Sequence, residues 1–299
     1  MYMLAKKRAN FKGWSNSMKR MISGAISLAV MLSALVIPAF AAAKEGGNSK
    51  TVSTTISGVS SQTPVLDGKI GRYEYKEIAY TTDDLRISGT TDERLAKNLE
   101  IAKSLKLYAS YSKEKVYVAV VVNTPEYVQT LEPGDMWQMH SLQVGAAKGD
   151  ETTPTNRTEL GFARRSDNDK LIYKLWTDAY NTGWNADSTG KDFVCVTANG
   201  VTTYELALPA KIFGVDSLNK GDKIRLNLCL NIATNSEDRG AVEWSQGTAT
   251  GKNATFHALV TLGDAIKAPT AAAQTADPIS AVIMITAAAA AVVVAGRKK

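Results

Sequence analysis

The stretch Lys106–Val122, KLYASYSKEKVYVAVVV, gives the strongest indication of the fold. The polar Ser112-Lys113-Glu114-Lys115 separates the first segment, Lys106–Tyr111, from the nearly all-apolar run Val116–Val122. Two strand-like segments around a short polar turn predict a β-hairpin whose second strand is buried.

More strands are predicted on both sides of this hairpin. Apolar and polar residues alternate over Ile224–Ile232, which predicts a strand with one buried and one polar face. The other predicted strands are Ser141–Gly145, Glu159–Arg164, Lys170–Thr177, Phe193–Thr197, Thr202–Leu208, Ala241–Trp244 and Thr255–Leu262. One helix is predicted over Asp92–Lys103, with Leu95, Leu99 and Ala102 on one side. Many short strands joined by turns predict an all-β protein, an antiparallel β-sandwich.

The two ends of the chain look like targeting segments. Residues 1–43 hold six Lys and Arg and no acidic residue, and they follow the order of a secretory signal peptide: basic segment, apolar run, then Ala39-Phe40-Ala41. Residues 279–296 carry no charge and precede Arg297-Lys298-Lys299, which predicts a transmembrane or sorting-type anchor with a basic cytoplasmic tail. We therefore expect an exported protein at the extracellular face of the cell membrane or in the cell wall.

Between these ends, composition divides the chain further. Residues 44–63 are rich in Ser, Thr and Gly and are expected to form a flexible leader, and residues 266–278 are expected to form a spacer. Residues 64–265 remain for the folded domain, which is long enough for one complete core.

The net charge of +6 comes from the two ends. Residues 44–296 contain 26 Lys and Arg against 29 Asp and Glu, a balance of −3. No concentrated basic stripe remains to neutralise phosphates, so the sequence gives no indication of nucleic-acid binding.

No catalytic constellation stands out, and we expect a non-enzymatic protein. The loop carboxylates Asp83-Asp84 and Asp167/Asp169 are expected to be solvated, with a calcium site as the alternative. The two cysteines, Cys195 and Cys229, leave two alternatives open, one disulfide or two buried thiols.

Tryptophans are the strongest indication of a ligand, because an exposed indole can bury the C–H face of a sugar ring. Trp176 and Trp244 lie in predicted strands and are expected to belong to the core. Trp184 lies in the turn-rich Asn181–Asn185, and Trp137 follows a Pro-Gly-Asp turn, so exposure is predicted for both.

The order of several short motifs resembles that of family-9 carbohydrate-binding modules and their DOMON-like relatives. The resemblance covers about residues 55–265 and rests on Leu66–Ile70 with Tyr73-Glu74-Tyr75, Val116–Val120, Trp137–Gln143, Tyr204–Pro209, Leu226–Leu228, Trp244-Ser245 and Phe256–Leu262. It implies a DOMON-like, jelly-roll-like sandwich that binds glycans without catalysis, and a fold that calcium commonly supports.

The resemblance also implies particular binding residues. Trp137 falls on a stacking Trp and Gln143 on a polar sugar contact, while His140 stands where the family usually has Asp. The second stacking Trp is missing, because Thr250-Gly251-Lys252-Asn253 occupies its place, and Trp184 is predicted to supply that face from another loop.

The sequence therefore predicts capture of a poly- or oligosaccharide at the cell surface, with the membrane and other glycan-degrading surface proteins as further partners. A haem-binding DOMON-like domain is one alternative, because Met136, Met139, His140 and His257 supply the ligand types. A structural surface protein without a ligand is the other alternative.

Overall fold

The computed structural model describes residues 52–60, 63–235, 237–249 and 251–267. The predicted signal peptide, most of the spacer and the predicted anchor lie outside these ranges. Among the described residues, no helix is long and apolar enough to span a bilayer.

The described chain is built almost entirely of strands, as predicted. These are β1 Ser53–Gly58, β2 Lys76–Glu77, β3 Leu85–Gly89, β4 Lys106–Tyr111, β5 Lys115–Asn123, β6 Ser141–Lys148, β7 Thr158–Arg164, β8 Leu171–Asp178, β9 Phe193–Ala198, β10 Val201–Pro209, β11 Lys223–Ala233, β12 Arg239–Trp244 and β13 Ala258–Ala265. One α-helix, α1 Asp92–Ser104, lies between β3 and β4.

The predicted hairpin Lys106–Val122 lies at the centre of the structure. β4 and β5 pair antiparallel from Lys106↔Val121 to Tyr111↔Val116, and β10 pairs with the other edge of β5. Val116, Val118, Val120 and Val122 on β5 are fully or almost fully buried in the core. The second strand of the hairpin is therefore a central strand, which explains its nearly uninterrupted apolar sequence.

The strands are hydrogen-bonded in the order β8-β7-β6-β11-β13-β1-β4-β5-β10-β9, and β12 and β3 extend the sheet from β11. The sheet turns back on itself, because side chains from both halves share one core; examples are Leu142, Phe162 and Leu228 from one half and Val118 and Leu206 from the other. This is the predicted β-sandwich, with antiparallel pairing at every junction except those of β1.

The prediction of a flexible leader over residues 44–63 is wrong for part of its range. Ser53–Gly58 forms β1, which pairs in parallel with β13 and β4 and so joins the two halves of the sheet. Its STTISG sequence lacks a strong apolar alternation, and Ile56 is its only buried apolar side chain. The strand therefore depends on its neighbours rather than on its own composition.

Helix α1 is confirmed, and two residues of its predicted apolar side, Leu95 and Ala102, pack on the core. Arg94, Asn98 and Ala102 face inwards, whereas Leu99 is exposed. Arg94 forms an ion pair with Asp238, and Asn98 donates to the backbone oxygen of Ser88 at 2.7 Å. These polar partners allow the helix to bury hydrophilic residues at i and i+4.

Two of the sequence motifs meet on the outer face of the β5–β10 half. The carboxylate of Glu205 on β10 accepts hydrogen bonds from the hydroxyl of Tyr75 at 2.8 Å and from the backbone N–H groups of Asp67 and Gly68 at 3.1 and 2.5 Å. Burial raises the pKa of Glu205 above its usual value. The Asp-Gly turn and the Tyr-Glu strand are therefore joined through one carboxylate.

The two cysteines are free thiols on different faces. Cys195 on β9 belongs to the shared core, whereas Cys229 on β11 points to the opposite side of its sheet. Of the two alternatives left open by the sequence, the structure shows two buried thiols.

Candidate functional site

The outward side of β6, β7, β11, β12 and β3 carries polar residues, and we call it the polar face. Because side chains alternate along a strand, residues of β11 such as Leu228 and Leu230 enter the core while Asn227, Cys229 and Asn231 point outwards. The strand register aligns one outward residue from each strand in a transverse row: Gly161, Gln143, Cys229, Glu243 and Arg86.

Hydrogen bonds fix the amides of this face. Asn231 donates through Nδ2 to Oε1 of Gln143 and to Oγ of Ser141, both at 3.0 Å. Gln143 in turn donates to Oε1 of Glu159 at 3.3 Å. These side chains are nearly buried, and their mutual bonds hold them in one arrangement, as a preorganised binding surface requires.

Glu159 is the most strongly paired acidic residue of the polar face. Arg157 donates to its Oε2 from Nη2 at 3.0 Å and from Nε at 3.3 Å, and the ammonium of Lys252 pairs with Oε1. The side chain of Lys252 is 48% exposed, so this ion pair lies at the solvent boundary. Lys252 also has a φ of +44°, an unusual conformation for a lysine that indicates a local constraint at this position.

Glu243 lies deeper in the same face. Its Oε1 accepts from the backbone N–H groups of Thr248 and Ala249 at 2.7 and 3.2 Å, and its Oε2 lies 3.9 Å from Nη1 of Arg86 without a hydrogen bond. Burial raises its pKa above the usual value of a glutamate. The face therefore contains two buried carboxylates, of which only Glu159 is paired with a half-exposed ammonium.

Small residues make room for larger side chains over the polar face. A Cβ on Gly161 would meet the indole of Trp176 at 2.3 Å, and a Cβ on Gly145 would meet the imidazole of His257 at 2.4 Å. Trp176, a residue of β8, thus packs over β7 at Gly161, and His257, which precedes β13, packs over β6 at Gly145. Burial, followed by the nearby positive charges, lowers the pKa of His257 to about 3, and its two ring nitrogens have no hydrogen-bond partner.

Trp137 provides an exposed aromatic surface at one end of the polar face. It is 39% exposed and belongs to a short 3-10 turn, Met136–Gln138, just before β6. The guanidinium of Arg239, the first residue of β12, lies 5.2 Å from its ring centroid. This cation–π contact holds the indole in place. The turn is linked to the polar face through Ser141, which accepts from Asn231 and donates to the backbone oxygen of Met136 at 3.0 Å.

Two of the predicted site residues therefore lie on one side of the sheet: Trp137 is exposed, and Gln143 is in the hydrogen-bonded row. His140 is not available to a ligand, which corrects its predicted role. It is buried, its Nδ1 lies 3.2 Å from the backbone N of Val128, and its ring packs 5.2 Å from that of Tyr127. Burial lowers its pKa to about 4.

The prediction that Trp184 supplies a second stacking face is also wrong. Its ring packs 5.6 Å from Tyr173 and 6.4 Å from Phe162, and Phe162 points into the core. Trp184 therefore lies on the core side of β7, across the sheet from Gln143. Of the strand tryptophans, Trp244 is fully buried in the core as expected, whereas Trp176 is half-buried over the polar face.

Three of the four residues that suggested the haem alternative, Met136, His140 and His257, are engaged in packing. Met136 is fully buried in a small apolar cluster with Ala163, Ile172 and Trp176, and His140 is held by backbone groups. The imidazole of His257 is fully buried and packs against Gly145. These three side chains make the contacts of ordinary packed residues.

The loop carboxylates considered for calcium have charged or local partners. Asp167 pairs with Arg165, Asp169 with Arg164, and Asp84 accepts from Thr81. Within the ranges that the structure describes, no group of three or more His, Cys, Asp or Glu side chains is placed to hold a metal ion.

Sequence reasoning missed most of the polar face, namely Arg86, Arg157, Glu159, Asn231, Glu243 and Lys252. The alternation in Ile224–Ile232 pointed to a polar side of β11 and could have nominated Asn227 and Asn231. Arg157, Glu159 and Lys252 come from separate segments, so their proximity depends on the strand register and on the loop before β13.

No protein-family model matches the sequence, and no curated protein is significantly similar to it. Among solved structures, the chain is similar to a family 9 carbohydrate-binding module from Caldicellulosiruptor kristjanssonii in complex with cellotriose, with 12% identity, 76% of this chain and 99% of that chain covered, and a TM-score of 0.47. A structure from the same organism described as a family 9 module in complex with glucose gives 12% identity, 74% and 100% coverage, and a TM-score of 0.44. With TM-scores below 0.5, these likenesses do not by themselves assign a ligand to this chain.

Proposed function

We propose that this protein binds carbohydrate without catalysis, and that Trp137 and the polar face form the binding surface. The observation that carries this proposal is the combination of an exposed indole with a fixed row of hydrogen-bonding side chains next to it. A pyranose ring needs both, because its faces are apolar and its edge carries hydroxyl groups.

The stacking surface is supported by the exposure and the fixed position of Trp137. Most large apolar side chains in the described part of the chain are buried, whereas this indole is 39% exposed and held by Arg239. An ordered, exposed ring can stack on a ligand without first losing conformational freedom.

Hydrogen bonds to the sugar hydroxyls are supported by the amide and charged side chains of the polar face. Gln143 and Asn231 form the hydrogen-bonded floor, while Lys252 stands half exposed beside Glu159. We propose that a sugar first contacts Trp137 and Lys252, and that its hydroxyls then bond to groups of this floor. The missing second stacking Trp is consistent with modest affinity for a single ring.

The place of action is part of the proposal. If residues 1–43 are a signal peptide and residues 279–296 an anchor, the domain is displayed outside the cell. Protease treatment of intact cells, followed by detection of the domain, tests this: degradation without cell lysis supports display, and protection contradicts it.

The test of glycan binding is retention of the full-length protein in affinity gels that contain a panel of soluble polysaccharides. We expect at least one glycan to retard it, and Trp137→Ala to abolish the retardation, because an aromatic side chain contributes about 1.5–3 kcal/mol when fully buried by a ligand. Val196→Ala is the matched control, since Val196 is also 39% exposed but lies on β9 in the other half of the sheet.

Unchanged retardation of the Trp137→Ala protein would remove this indole from the site. Absence of retardation by every glycan would instead favour a structural surface protein without a ligand.

A further inference from the structure

Positive charge is concentrated on the polar face. Its outward positions and rim hold three carboxylates, Glu159, Glu243 and, in the turn of Trp137, Asp135. They are outnumbered by five basic side chains. These basic residues are Arg86, Arg157, Arg225, Arg239 and Lys252.

The residues come together from five segments. Arg86 faces Glu243 from β3, and Arg225 points outwards from β11 and donates to the backbone oxygens of Thr255 and His257 at 3.0 and 3.3 Å. Arg239 covers Trp137, while Arg157 and Lys252 share the single carboxylate of Glu159. The surplus is therefore built into the surface that we propose as the binding site.

This surplus is local, because residues 44–296 as a whole carry 26 basic and 29 acidic residues. These positive charges also lower the pKa of a buried group, His257. After burial, the causes that lower the pKa of His257 are the charges of Arg157, Arg225 and Lys252. A positive region on an otherwise slightly acidic chain favours an anionic ligand over a neutral one.

Lys252 is the group best placed to meet such a ligand. Its ammonium uses one of three donors for Glu159, and its side chain is 48% exposed. Arg157 already satisfies the other carboxylate oxygen of Glu159 through two N–H groups. An anionic group can therefore approach the ammonium without breaking the Arg157–Glu159 pair.

We propose, on the basis of the function proposed above, that the glycan is acidic: a saccharide whose sugar ring stacks on Trp137 and whose anionic substituent pairs with Lys252. A uronic acid carboxylate and a sulfate ester share this chemistry, and the experiment below distinguishes them.

The experiment measures binding of the full-length protein by isothermal titration calorimetry. The probes are oligouronides, their neutral methyl-esterified forms, and sulfated galactan oligosaccharides with their desulfated forms. We expect at least tenfold tighter binding of one acidic probe than of its neutral form, and a preference that weakens between 0.05 and 0.5 M NaCl because salt screens the charge pair.

Variants at two lysines assign the preference to the site. Lys252→Gln should remove the acidic preference, and Lys252→Arg should retain most of it because the charge is kept. Lys220→Gln is the matched control: Lys220 is also exposed and paired with one carboxylate, Asp264, and should leave the preference unchanged.

The outcomes separate this inference from the proposed function. Preference for the uronide or for the sulfated probe supports the inference and identifies the anionic group. Equal binding of acidic and neutral forms, or an acidic preference that survives in Lys252→Gln, overturns it while glycan binding stands. Absence of binding to any of these probes overturns the inference, and the affinity gels with the wider polysaccharide panel then decide whether glycan binding stands.

Discussion

The two halves of the sheet each bury a glutamate on their outward side, but they surround it differently. Glu205 on β10 accepts from one hydroxyl and two backbone N–H groups, all of them neutral. Glu159 on β7 lies between two cations, and one of them, Lys252, is half exposed. The neutral donors join residues 67–75 to β10, whereas the half-exposed ammonium of Lys252 remains available to a ligand.

This comparison indicates how structural and ligand-binding polar groups differ within one fold. A buried carboxylate such as Glu205, whose hydrogen-bond donors are neutral groups of the same chain, is a fixed part of the architecture. The half-exposed ammonium of Lys252, by contrast, can exchange Glu159 for solvent or a ligand at modest cost, because Arg157 keeps the buried carboxylate paired. We therefore expect changes at Glu205 to affect stability and changes around Glu159 to affect binding.

The largest effect is expected for Glu205→Ala. The variant leaves the Tyr75 hydroxyl and two N–H groups without an acceptor, and we expect the free energy of unfolding to fall by about 3 kcal/mol or more. Urea denaturation followed by tryptophan fluorescence measures this. Glu205→Gln, which keeps an acceptor, should lose less. A loss below about 1 kcal/mol in the alanine variant would show that the carboxylate does not join these segments.

The next effect concerns His257, which is buried beside the polar face. Its pKa falls from the usual 6.5 to about 3 in the folded protein, so the unfolded state binds a proton first as the pH drops. Its contribution to stability is complete above pH 6.5 and is lost as the pH falls towards 3.

The His257→Gln protein should therefore show a shallower pH dependence of unfolding. Between pH 6 and 4.5 the slope should decrease by about 1.4 kcal/mol per pH unit relative to the unmodified protein. Slopes are compared rather than absolute values, because the substitution also changes packing. Identical slopes would mean that His257 is accessible to protons in the folded state.

A smaller change in stability is expected for Glu159→Gln. Lys252 can turn towards solvent, while Arg157 retains an amide oxygen as acceptor, so we expect a loss of about 1–2 kcal/mol. Glycan binding should fall at the same time, because Lys252 and Gln143 lose their fixed partner. Thermal unfolding and affinity gels on the same sample measure the two effects. A stability loss as large as that of Glu205→Ala would abolish the distinction between the two glutamates.

The smallest effect on stability is expected for Trp137→Ala. Removal of this exposed ring should change the free energy of unfolding by about 0.5 kcal/mol or less. The matched Trp244→Ala, which removes a fully buried ring, should cost about 3–5 kcal/mol. Chemical denaturation of both variants provides the comparison, and a large loss for Trp137→Ala would assign that residue to the core.

Much of the fold could be predicted, because its central elements have distinctive patterns. The apolar run of β5 and the alternation of β11 each follow from the burial of one or both sides of a strand. β1 could not be predicted in the same way, since its Ser- and Thr-rich sequence acquires strand structure only between β13 and β4. Helix α1 was located correctly, but its buried side depends on the ion pair of Arg94 with Asp238, which local sequence does not show.

The candidate site was predictable only in part. Trp137 and Gln143 lie on one short segment and were found together, whereas Lys252 reaches Glu159 across 93 positions of the chain. The loop composition around Trp184 suggested exposure, but packing on Tyr173 and Phe162 prevailed. Side chains that meet through strand register leave no local pattern in the sequence.

Strand β13 has a consequence for mechanical load on the domain. It is hydrogen-bonded on one side to β1 and on the other to β11, which is also a strand of the polar face. A pull on the chain beyond residue 265 acts along β13, while its hydrogen bonds run across that direction. The hydrogen bonds on both sides then share the tension instead of opening one after another. If residues 279–296 form the proposed anchor, the domain should therefore withstand traction between that anchor and a bound partner.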